Sequence, residues 1–126
     1  MISRRGLLLA VLALASWQLP GPASAHSLLV RSHPGRGATV ARPPKRVQLW
    51  FSKRLEPAYA TLSVWSEAGP EVDAGDAAVD AGDPTVLSVS TPELGPGRYT
   101  VRYRVLSLDG YVVESSFTFT VKAAPR

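Results

Sequence analysis

Apolar and polar residues alternate along most of this chain. In "RVQLWFS", Val47, Leu49 and Phe51 share one face, and Gln48, Trp50 and Ser52 share the other. "ATLSVWS" sets Leu62 and Val64 against Ser63 and Trp65, and "TVLSVST" sets Val86 apart from Leu87 and Val89. The longest run, "RYTVRYRVLSL", points Tyr99, Val101, Tyr103 and Val105 one way and Arg98, Thr100, Arg102 and Arg104 the other. "SSFTFTVK" repeats the device with Phe117, Phe119 and Val121. A period of two in β-branched and aromatic residues is the signature of half-buried strands. No segment carries a convincing helical stripe. Short strands between Gly/Pro turns predict an all-β fold, an antiparallel two-sheet sandwich or barrel. Val47, Leu49, Phe51, Val101, Tyr103, Val105, Phe117 and Phe119 are expected to share one core. Pro96 and Gly97 in "LGPGRY" predict a tight turn into the longest strand.

The first 25 residues break this pattern. Arg4 and Arg5 precede an apolar run, Gly6 to Leu14, which is shorter than the roughly 20 residues that span a bilayer. Pro20-Gly21-Pro22 stops any helix ahead of the small-residue triplet Ala23-Ser24-Ala25. This is the order of parts in a secretory signal peptide. Cleavage is expected before His26, leaving 26–126 as one domain outside the membrane. "SRRGLLL" has a twin-arginine look but lacks the lysine often found later in such motifs, so the export route stays open.

Composition narrows the function. The formal charge of +4 includes Arg4 and Arg5 and falls to +2 without them. The remaining basic residues form no dense run with interleaved aromatics, which argues against nucleic acid as a partner. The chain has no cysteine, so neither a disulfide nor a thiolate metal site is available. Residues 69–84, "GPEVDAGDAAVDAGDP", repeat Val-Asp-Ala-Gly-Asp at 72–76 and 79–83. Calcium loops gather about six to eight oxygens and commonly close with a bidentate glutamate. This stretch has no such closing residue, and a solvated acidic connection between strands is expected.

His26 carries the candidate chemistry. Once it is the first residue, its α-amino group and Nδ1 can chelate one metal. The amine titrates near about 7.7–8.0 and the imidazole near about 6.5, so both nitrogens are accessible at neutral pH to a competitive metal. Cu(II) competes best among common divalent ions and prefers a planar set of nitrogen and oxygen donors.

Further motifs run the length of the chain in a fixed order: "RSHPGRGATV", "PPKRVQLWFSKRLEP", "LGPGRYTVRYRVLSLDGY" and "SSFTFTV". With His26 at the expected mature terminus, they resemble the CopC family of periplasmic copper-resistance proteins. The resemblance implies an Ig-like or cupredoxin-like β-sandwich of Greek-key type. It implies Cu(II) held by the terminal histidine and by the aspartate and histidine of a D-G-H motif. It also implies handling of copper for resistance or homeostasis, with a CopD-like inner-membrane copper protein as partner. His26 matches the first ligand and Asp109 the second.

The match is incomplete. Tyr111 stands at the D-G-H histidine, and a phenol that titrates near about 10 is a weak ligand. Lys53 stands where the family has a glutamate, and Leu28 offers no donor where some members have a second histidine. His33, seven positions after His26, would lie roughly 23 Å away on an extended strand at about 3.3 Å per residue. The only methionine is Met1, so a methionine-rich Cu(I) site is excluded. Trp50 and Trp65 read as packing residues. Glu56 before Pro57 reads as a turn residue, and Asp109-Gly110 is itself a good turn dipeptide.

Three readings follow. One is a binding protein, not an enzyme, holding at most one Cu(II) through His26 and Asp109 with Tyr111 as a weak contributor. Another is a metal-free Ig-like interaction module that has lost the copper site. The third is a copper oxidase with a histidine brace, which would need His33 as the second histidine.

Overall fold

The computed structural model describes residues 28–124 as two stacked four-stranded sheets. One sheet contains β1 (Leu29–His33), β3 (Arg46–Phe51), β5 (Ala78–Val79) and β6 (Val86–Ser90), in the order β1-β3-β6-β5. The other contains β2 (Thr39–Val40), β4 (Thr61–Ser66), β7 (Gly97–Leu106) and β8 (Val112–Val121), in the order β2-β8-β7-β4. The chain crosses between sheets after β1, β2, β3, β4 and β6, the interleaving expected of a Greek-key sandwich. All pairings are antiparallel except that of the short β2, which runs parallel to β8.

The alternation does what its period predicts. Val47, Leu49 and Phe51 of β3 face Tyr99, Val101, Tyr103 and Val105 of β7 and Phe117, Phe119 and Val121 of β8 in one buried cluster. Tyr99 stacks on Phe119 with ring centroids 5.5 Å apart, and Tyr103 meets Phe51 edge-on at 5.7 Å. Such aromatic pairs add specificity to the area they bury. Gly97 opens β7 with a φ of 145°, a conformation that side chains resist. The Tyr99 hydroxyl then donates to the Gly95 carbonyl at 2.7 Å and fastens the turn.

One residue departs from the sequence pattern, and two keep to it with an unforeseen cover. Val86 is buried along with Leu87 and Val89; it opens β6 opposite Trp50, its amide bonded to Asp83 O and its carbonyl to Asp80 N. Trp50 and Trp65 lie outside the core. Each is a half-buried residue on an outer sheet face beneath an arginine, Arg31 at 3.9 Å from the Trp50 ring and Arg102 at 4.8 Å from the Trp65 ring. The tryptophans therefore cover the sheets from outside, where a flat ring and a guanidinium stack well.

The acidic segment is more structured than a plain connection. It supplies the edge strand β5, and its aspartates hold backbone amides. Asp73 accepts from Val64 N (2.8 Å), Asp76 from Ser90 N (2.8 Å) and Asp83 from Thr85 N (3.2 Å). Residues 70–73 also lie along the free edge of β4: Ser66 N donates to Pro70 O, and Val72 N to Val64 O.

Candidate metal centre

One end of the sandwich gathers three pieces of chain. The first is Leu28, the first described residue, whose carbonyl accepts from Ser52 N at 2.8 Å. The second is the crossover from β3 to β4, residues 52–60. The third is the turn from β7 to β8, "SLDGY", residues 107–111. Turn and crossover are joined by backbone pairing. Leu108 N donates to Arg54 O, Glu56 N donates to Leu106 O, and Leu55 bridges Ser107. Leu55 and Ser107 are both 1% exposed, so the junction is anchored in the core.

The turn itself is tied by side chains. Ser107 N donates to Tyr111 O and Gly110 N to Ser107 O, with Gly110 at a φ of 97° that favours glycine. The Ser107 hydroxyl donates to Asp109 Oδ1 at 2.5 Å and accepts from Tyr111 N at 3.0 Å. The other carboxylate oxygen, Asp109 Oδ2, accepts from Lys53 Nζ at 2.6 Å. The hydrogen bond from Lys53, then that from Ser107, holds the Asp109 carboxyl below the usual carboxylate range. The bond to Asp109 in turn raises Lys53. Both side chains stay about half exposed, at 42% for Lys53 and 48% for Asp109. Lys53 Nζ also lies 5.6 Å from the centre of the Tyr111 ring.

An ionised carboxylate in this setting fits the part of an oxygen donor to a divalent cation: it is orientated on one side, reachable from solvent, and carried by a short turn. Among the described residues, no three His, Asp or Glu side chains converge as a metal cluster. His26 lies outside the described residues, as does the expected cleavage point before it.

The remaining candidates fall elsewhere. His33 closes β1 opposite Gln48, whereas Leu29 at the other end of the strand faces Phe51. The loop that follows His33 bonds through Gly37 N to Thr118 O, in the half of β8 remote from the 107–111 turn. His33 and Asp109 are thus at opposite ends of the sandwich. Leu28 is a core residue. Glu56 acts through its backbone, its carbonyl accepting from Tyr59 N at the start of the 3-10 turn Pro57–Tyr59, with no side-chain cap. Sequence reasoning missed Ser107, although a serine two positions before an aspartate in a turn is a known local hydrogen-bonding pattern. It also missed the direct contact of Lys53 with Asp109.

Comparison with known proteins agrees with this architecture. The model of the CopC domain matches residues 29–122. Copper resistance protein C of Pseudomonas syringae pv. tomato is 34% identical over 106 residues, covering 79% of this chain and 83% of that protein. The crystal structure of CopC from Methylosinus trichosporium OB3b matches with a TM-score of 0.73 at 40% identity, covering 80% of this chain and 98% of the other. PcoC, a methionine-rich copper resistance protein from Escherichia coli, matches with a TM-score of 0.65 at 29% identity, covering 76% and 98%.

Proposed function

This chain belongs to the CopC family, and from that premise we propose that it is an exported copper-handling protein whose cargo is a single Cu(II) ion. In this reading residues 1–25 are a signal peptide removed in export, and residues 26–126 work in the periplasm. The α-amine and Nδ1 of His26 supply two nitrogens, Asp109 an oxygen, and water or Tyr111 the fourth position. The protein binds and passes on copper and catalyses nothing. A CopD-like inner-membrane protein is the partner this role calls for. No helix among the described residues is long and apolar enough to cross a membrane.

The observation that carries the reading is the placement of Asp109. Its half-exposed carboxylate stands at the end of the sandwich where Leu28 is bonded to Ser52, one residue before Lys53. His26 is two residues upstream of Leu28, a reach of at most about 7 Å. A Cu(II) titration tests it, using protein whose terminus has been verified as His26 by intact mass. One equivalent bound, with nitrogen hyperfine structure in the electron paramagnetic resonance spectrum, is the expected result. No binding, or binding that survives loss of the His26 side chain, counts against it.

The ion pair of Lys53 with Asp109 favours a second reading, a member of the family that keeps the fold without copper. An ammonium already satisfies the carboxylate, and the D-G-H histidine is replaced by Tyr111. A mature chain that leaves Cu(II) free in the same titration establishes this reading instead.

A further inference from the structure

We propose that Lys53 sets the copper affinity of this chain by competing for Asp109: its ammonium holds the carboxylate oxygen that the metal would use, and its charge opposes the metal's. The inference rests on the reading of Asp109 as a copper ligand and adds a residue that acts against it.

The two carboxylate oxygens are not equivalent. Oδ1 is bonded to the hydroxyl of Ser107, a residue 1% exposed whose Oγ also accepts Tyr111 N and whose backbone bridges Leu55. That partner is fixed in the fold and cannot follow the carboxylate if it turns. Oδ2 is bonded to Lys53, which reaches it from another segment by a flexible, half-exposed stem. Of the two oxygens, Oδ2 is therefore the one able to change partner, and Lys53 is the partner able to leave. An ammonium and a copper ion drawn to one carboxylate oxygen repel each other, so each weakens the other's hold on it. The half-exposed ammonium has a ready destination in solvent. Because exposed ion pairs are weak, Lys53 attenuates binding and does not block it. The turn is also closed independently of the Lys53 side chain, by the backbone bonds of Ser107 and Leu108.

The test uses mature protein beginning at His26, with Cu(II) affinity read by competition against a chromophoric chelator and the coordination read by electron paramagnetic resonance. Five forms are compared: wild type, Lys53→Met, Arg54→Met, Asp109→Asn, and Lys53→Met combined with Asp109→Asn. Circular dichroism verifies that each is folded. Lys53→Met is expected to tighten binding about three- to tenfold. Arg54→Met, which removes a neighbouring positive charge from the same exposed crossover, should not reproduce that gain. In the Asp109→Asn background the gain from Lys53→Met should vanish. Equal gains from Lys53→Met and Arg54→Met would reduce the effect to general charge and overturn the proposal. So would a gain that persists without Asp109, or copper binding by wild type that Lys53→Met leaves unchanged. That last result would spare the copper site itself, whereas failure of all five forms to bind Cu(II) would remove the site and the competition together.

Discussion

Lys53 and Asp109 stand 56 residues apart in the chain, and their charged atoms stand 2.6 Å apart in the fold. The contact exists because the crossover leaving β3 and the turn joining β7 to β8 meet at one end of the sandwich. It gives the Asp109 carboxylate a positive neighbour from within the chain. The chemistry of this end of the molecule therefore depends on which positive partner the aspartate holds.

Tyr111→His should restore an imidazole at the position after Gly110 and tighten Cu(II) binding by at least about tenfold. Tyr111 is 45% exposed, so the exchange disturbs no core packing. Chelator competition measures the gain, and added nitrogen hyperfine structure identifies its source. No gain would mean that residue 111 does not face the terminal site and would favour the metal-free reading.

Adding one residue ahead of His26 should remove most Cu(II) binding while leaving the fold unchanged. The free amine would then belong to another residue and could no longer close a ring with the His26 imidazole. Titration of the extended and native chains side by side checks this, with intact mass confirming both termini. Equal binding by the two forms would show that the terminal chelate plays no part.

Phe119→Ala should destabilise the domain by about 3–5 kcal/mol, the usual cost of truncating a buried aromatic residue. Phe119 is 1% exposed and stacks on Tyr99, so the cavity opens between the two sheets. Urea denaturation followed by fluorescence gives the difference. A loss below about 1 kcal/mol would contradict this packing.

Acid should weaken the fold through the aspartates of the 69–84 segment. Hydrogen bonds from the Ser90 hydroxyl and amide lower the Asp76 carboxyl, and those from the Thr85 hydroxyl and amide lower Asp83. Their ionised forms are thus favoured by folding. The stability they contribute is complete above the unfolded value of about 3.9 and is lost as pH falls through the lowered folded value. Glu71 works in the opposite sense, because its hydrogen bond with Asp73 raises its carboxyl. Urea midpoints measured at about pH 6 and about pH 3 should differ less in Asp76→Asn than in wild type. An unchanged difference would show that Asp76 does not contribute.

The strands were legible because burial on one face of a sheet imprints a period of two. Val47, Leu49 and Phe51, and Tyr99 through Val105, are buried as their spacing predicts. Trp50 and Trp65 show the limit of that reading. Period two assigned them to the outer faces and their size marked them as packing residues, but only the positions of Arg31 and Arg102 reveal what covers them. At the candidate site, Asp109 was legible from its turn and from its place in an ordered set of motifs. Its bond to Lys53 was not, because it depends on how a crossover between sheets passes a distant hairpin. A flexible lysine also leaves no periodic trace.

The segment 70–73 has a consequence for the protein in crowded solution. β4 is the last strand of its sheet, and its outward backbone groups are the kind on which a foreign strand can grow. Here Asp73 takes the amide of Val64, and Val72 takes its carbonyl. That margin of the sheet is closed by the chain's own acidic loop, with negative charge facing outward. A folded copy therefore offers its neighbours no free template along the Val64–Ser66 half of β4.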